Sequence, residues 1–318
     1  MPPRHLALLS LAALLPFAAC ARELVRGNGP EPATLDAHRC QEVVCGNILR
    51  DLYEGLVTED AAGRIVPGIA QSWTVSTDAR QWRFRLRDEL TWSNGEALTA
   101  HDVVASLRRA LDPKTAAPVA ALLRPIANAA AVMRGELPPD ALGVEAPDAS
   151  TVVIRLDEPV ALLDRLTFPV AFPVYLPAVA QFGAQHTRPG RLVGNGAYRL
   201  AAWTPQAAVV LEKNPHFHSA ASVAIERVRF AVTEDAASEL KRFQAGDLHL
   251  TETVPPRPLA ALRAEFGERL RVSPYLGSFW LGMNLTRAPL RGNEALREAL
   301  SLAIDRDIVT RYVTGFGE

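Results

Sequence analysis

Several groups of side chains in this chain of 318 residues have types and spacings that could do chemistry. Cys40 and Cys45 bracket the run CQEVVC, His216 and His218 stand two apart in NPHFH, and Ser238-Glu-Leu-Lys241 has the Ser-x-x-Lys form of some acyl-transfer nucleophiles. The cysteines could close a disulfide or join a metal site. A metal needs a second ligand pair and none accompanies them, so a disulfide stapling the loop is preferred in an oxidising compartment. Its ring would be small and its entropic stabilisation modest. The two histidines fall in a turn without partner ligands, which argues against a metal site. The Ser-x-x-Lys string has no SDN or KTG companion and sits on what reads as a surface helix. Gly194-Asn195-Gly196 invites a dinucleotide-loop reading. It lacks the third glycine and opens a strand rather than a helix, so a tight turn is expected. HExxH, GxSxG and phosphate-loop strings are absent. Without a nucleophile and base in one constellation, an exported hydrolase is disfavoured and no cofactor is implied.

Composition narrows the classes further. Lys and Arg (34) nearly cancel Asp and Glu (35), so nothing points to nucleic acid. A hydrophobic content of 48% can bury a core, and the length fits about two domains. Arg4 and His5 precede the apolar run LALLSLAALLPFAA at 6–19, which ends in small residues just before Cys20. This reads as an export signal over 1–19, too short for an ordinary membrane span. FAAC resembles a lipobox, in which Cys20 becomes the lipidated first residue. The competing reading is an ordinary cleaved signal with an incidental cysteine.

The chemistry-bearing residues must be positioned by elements that the pattern predicts. Trp82, Phe84 and Leu86 alternate with Arg83, Arg85 and Arg87, giving a strand with one buried face. Asn94-Gly95 supplies a tight turn. Thr99 caps a helix with Asp102 in its first turn and Val103, Val104 and Leu107 inward, ending near Pro113. A helix is expected over 47–56, an alanine-rich helical stretch over 118–142, and a buried strand in TVVIRLDEPV (151–160). A hairpin follows over 197–213, then a strand near 225–232. Residues 233–246 read as a helix closed by Gly246. Residues 248–253 read as a further strand. Residues 293–313 read as mostly helix with Leu296, Leu300 and Ala303 buried.

In this order and spacing, NILRDLYEGLVTED, VPGIAQSW, WRFRLR, WSNGEALTAHDVV, VGNGAYRL, EKNPHF and LREALSLAIDRDIV resemble bacterial extracellular solute-binding protein family 5. Its oligopeptide-binding branch serves peptide ABC transporters. The resemblance runs from about Leu24 to the last residue. It implies a mixed α/β fold of the type II periplasmic binding protein kind, a two-lobed clamp with an inserted domain. Residues 20–56 with 184–285 would form lobe I, 57–183 the inserted domain, and 286–318 the start of the second lobe. Family members are considerably longer, so the second lobe is expected to be largely missing and tight peptide binding is not expected. The implied partners are a peptide ligand, a permease with its ATPase, and the membrane through a lipid on Cys20. The location implied is the periplasm, and the state a monomer. By analogy three segments line the cleft: Cys45, Gly46 and Asn47; Glu252, Thr253 and Val254; and Trp280, Gly282 and Asn284 in SFWLGMNL. Glu252 could meet a ligand ammonium, although a solvated acid is the plainer reading. Trp280 could equally be core, and Leu281 is expected to be core. Other solutes within the same fold are a dipeptide, a murein peptide or a metal chelate. A lipoprotein that has lost transport is a further possibility.

Overall fold

Two stretches of alternating apolar and charged residues close into two separate four-stranded sheets. The computed structural model describes residues 23–273 and 280–315. The export signal and Cys20 lie outside them. In chain order the elements are β1 (Glu23–Gly27), α1 (Val43–Leu52), β2 (Val57–Glu59), β3 (Ile65–Pro67), β4 (Ala70–Val75), β5 (Gln81–Leu86), α2 (Ala100–Leu111), α3 (Ala129–Met133), β6 (Val144–Asp148) and β7 (Thr151–Arg155). Then come α4 (Leu163–Leu166), α5 (Leu176–Phe182), β8 (Tyr198–Thr204), β9 (Ala208–Lys213), β10 (Arg227–Ala231), α6 (Ala236–Ala245), α7 (Leu259–Phe266), α8 (Glu294–Leu302) and α9 (Arg306–Ile308). The chain divides into two units between Glu252 and Thr253.

The first sheet has the order β1-β10-β9-β8, with β1 parallel to β10 and the other pairs antiparallel. Ile48, Leu49 and Leu52 of α1 pack with Val209, Leu211 and Phe230 of the sheet in one hydrophobic cluster. The second sheet is antiparallel, in the order β4-β5-β7-β6. Phe84 and Leu86 face its core while Arg83 and Arg85 face water, as the period of two predicts. Val103, Val104 and Leu107 of α2 join Phe84, Val152 and Ile154 there. Gly95 takes φ +87° at the predicted turn. The Asp102 carboxylate accepts from the Thr99 N–H and hydroxyl at 2.8 Å each, which fixes the start of α2.

Some expectations are corrected. The first helix runs 43–52, not 47–56, because other residues take its end. Gly196 N–H donates to the Leu52 carbonyl at 2.9 Å, and the Asn195 amide binds the Glu54 N–H and carbonyl. Gly194 and Gly196 therefore serve a close backbone approach rather than a positive φ: a Cβ on Gly194 would strike the Leu52 carbonyl oxygen. The alanine-rich stretch is broken into short turns around α3. Pro125, Pro138 and Pro139 each lack an N–H donor, and Asn128 is left-handed at φ +66°. Residues 248–253 form no strand. They make a single bridge, Arg26 to Leu250, before side chains take over the pairing.

In the second unit Leu300 and Ala303 are exposed and the helix breaks after Leu302. Residues 280–284 form no strand, and Leu281 is 65% exposed rather than core. Among the described residues of this unit only Leu262 and Phe266 are buried apolar side chains, so it offers these residues little core to join.

Candidate functional site: a polar knot on the first sheet

Four segments of the first unit converge where β1 ends. β1 brings Arg26, the residue after it brings Asn28 at the end of an extended run, α1 brings Asn47, and α6 brings Glu239. The segment after α6 brings Glu252. Arg26 Nη2 and Asn47 Nδ2 both donate to Glu252 Oε2 at 2.7 Å. Asn47 Nδ2 also donates to Asn28 Oδ1 at 3.2 Å, and buried Asn28 is itself held by the Val44 carbonyl at 3.0 Å. The Arg26 guanidinium lies 5.3 Å from the centre of the Phe230 ring, so its stem and face are packed.

Glu239 is the hidden member. It sits in the first turn of α6, whose N-cap is Asp235, and it is buried. Its two oxygens accept from the Glu252 N–H at 2.7 Å and the Gly29 N–H at 3.2 Å. Gly27 must be glycine for this to fit, since a Cβ there would overlap the Glu239 carboxylate. Burial pushes the Asp51 carboxyl up to about 6, and the Arg26 charge only partly opposes it. The knot thus combines three carboxylates with one guanidinium and one fixed amide. It has no nucleophile, and its chemistry is hydrogen bonding and charge capture. Both bonds to Glu252 fall on Oε2, which leaves Oε1 with acceptor capacity.

Asn47 and Glu252, from two different predicted segments, are brought into direct contact. Gly46 sits in α1 with open space around it. Cys45 is fully buried and joined to Cys40 by a disulfide, Cα atoms 6.0 Å apart. Its side chain therefore faces the core rather than a ligand. Thr253 is exposed and Val254 half-buried, both in the second unit. Trp280 is 75% exposed there. Gly282 lies against the Trp280 ring, and Asn284 Oδ1 accepts from the Thr286 N–H and hydroxyl at 2.9 and 2.7 Å. Sequence reasoning missed Arg26, Asn28, Glu239 and Asp51. The glycines of RGNG were the only local signal of a close approach.

A second polar cluster braces the first unit. Arg109 of α2 grips Asp36 with two bonds of 3.0 and 2.6 Å and donates to His38 Nδ1 at 2.8 Å. His38 Nε2 then donates to the Phe172 carbonyl at 3.0 Å. Elsewhere His218 pairs with Glu54 at 2.7 Å and His216 does not join it. Among the described residues no group of three or more His, Cys, Asp or Glu could hold a metal ion. A cavity of about 340 Å³ lies beside Arg50, Tyr53, Glu54 and Phe172, away from the predicted ligand residues. Among the described residues no helix is long and apolar enough to cross a membrane.

Residues 64–318 match the family described as bacterial extracellular solute-binding proteins, family 5 Middle. The chain is 38% identical over 315 residues to the periplasmic murein peptide-binding protein MppA of Escherichia coli, covering 98% of this chain and 58% of that protein. It is 37% identical over 299 residues to the periplasmic oligopeptide-binding protein OppA of Salmonella typhimurium, covering 93% and 55%. Among solved structures, Burkholderia pseudomallei OppA gives a TM-score of 0.89 at 33% identity, covering 94% of this chain and 59% of that one. Haemophilus influenzae OppA in complex with RPPGFSPFR gives 0.89 at 35% identity, covering 93% and 58%. The chain spans a little over half the length of these relatives.

Proposed function

The chain belongs to the bacterial extracellular solute-binding proteins of family 5, and from that premise we propose that it is part of a periplasmic peptide receptor serving an ABC importer. The observation that carries this reading is the likeness, at a TM-score of 0.89 over 93% of the chain, to a relative solved with a bound peptide. Binding would be by backbone hydrogen bonds and charge capture, as in strand addition. The knot contributes Asn47 and Glu252 on one side of the ligand. The protein performs no chemistry. A murein peptide is the second reading, favoured by the likeness to MppA across 98% of the chain.

The division into lobe I (20–56 with 184–285), inserted domain (57–183) and start of the second lobe (286–318) is our assignment. The separate hydrophobic cluster from Leu56 to Ala171 supports the inserted domain. We assign Cys20 as the lipid-bearing residue after export. Labelling with a radioactive fatty acid is expected to mark the mature chain, and an unlabelled one would remove the anchor. Deleting the gene is expected to abolish growth on peptides as sole amino-acid source. Unchanged growth would overturn the transport reading.

A further inference from the structure

The second unit carries an apolar face along 296–313 that its own described residues leave bare. Leu302 and Tyr312 are each 75% exposed, Val313 is 61%, and Leu300, Ile304, Ile308 and Val309 are exposed as well. Single exposed apolar residues need no explanation, but these are patterned. Ile308, Val309, Tyr312 and Val313 fall on one side of the helical turns, and Arg306, Asp307, Thr310 and Arg311 on the other. In α8, Leu296, Ala299 and Leu300 oppose Glu294, Arg297 and Glu298 in the same way. An amphipathic stripe of this kind marks an interaction surface. The relatives indicate what covers it: this chain matches 58% of MppA, so a large part of the family polypeptide has no counterpart here.

We propose that the 296–313 face is the docking surface for a polypeptide equivalent to the part of the family fold that this chain does not match. The partner would present a complementary apolar surface rimmed by charges that answer Arg306, Asp307 and Arg311. The proposal rests on the family assignment and not on the identity of the ligand.

The test mixes the purified chain with the separately produced part of E. coli MppA that it does not match, with no peptide present. Sedimentation velocity is expected to show a one-to-one complex. Hydrogen exchange at amides 296–313 should slow at least tenfold on mixing. The double variant Ile308→Asp/Tyr312→Asp should lose at least tenfold in affinity while keeping the melting transition of the first unit. Absence of a complex would overturn the proposal. So would a complex indifferent to the double substitution, or a homodimer through this face that the added polypeptide cannot displace. Because no peptide is used, failure here leaves the receptor reading standing.

Discussion

His38 and Asp51 pull the pH dependence of stability in opposite directions. Burial and the neighbouring Arg109 charge hold the His38 ring neutral and push its pKa down to about 4. The unfolded chain, with an ordinary histidine, binds that proton first. Stability from His38 is therefore intact above about pH 6.5 and lost as pH falls toward 4, on the order of 3 kcal/mol in full. Asp36 acts in the same sense at lower pH. Burial would raise its pKa, but the Arg109 pair outweighs burial and holds it below the usual carboxylate range. Asp51 runs the other way: its folded pKa of about 6 lies above the unfolded value, so its contribution worsens as pH rises from about 4 to 6.

Two variants separate these effects. Asp51→Asn should stabilise the chain at pH 7 by on the order of 2 kcal/mol, with the gain vanishing near pH 4. His38→Gln should flatten the loss between pH 6.5 and 4. Urea unfolding at pH 7, 5.5 and 4 checks both, and an Asp51→Asn gain that persists at pH 4 would contradict this assignment. The residues behind these predictions were only partly legible in the sequence. The Cys40 and Cys45 pair was, because its members are five apart. The Arg26 and Glu252 pair is separated by 226 positions, and no local pattern records such a contact.

At the scale of elements, a glycine's neighbours decide what an alanine would do. Gly46 lies inside α1 with nothing within reach of a Cβ, so Gly46→Ala should stabilise by about 0.5–1 kcal/mol. A Cβ on Gly196 would meet the backbone of Leu52 and Tyr53, within 2.6 Å of each. Gly196→Ala should therefore destabilise by roughly 1–3 kcal/mol or more, since backbone cannot swing aside. Thermal melts of the two variants should move in opposite directions, and a common direction would refute the packing argument. The same contact explains what was illegible. The strand, turn and helix over 82–113 carry their own signals in alternation, Asn-Gly and Thr99 with Asp102. The end of α1 is set by Asn195 and Gly196, more than 140 residues away, so its boundary moved by four residues.

At the scale of the molecule, the first unit has two well-filled cores and the second has almost none among its described residues. Residues 21–318 produced alone should therefore self-associate through the bare face as concentration rises. Light scattering would show it, and a monodisperse monomer at high concentration would argue against it. The same reasoning bears on ligand affinity. A surface that contacts one side of a peptide forgoes the enclosure that closure of two lobes provides, and each 1.4 kcal/mol lost is tenfold in Kd.

The most direct test of the receptor account is an amide NMR titration of the chain with a tripeptide. We predict a Kd weaker than about 10 μM, with shifts concentrated at residues 45–47 and 250–254, and loss of those shifts in Glu252→Ala. Sub-micromolar binding by the chain alone, or shifts confined to the second sheet at residues 70–155, would contradict it.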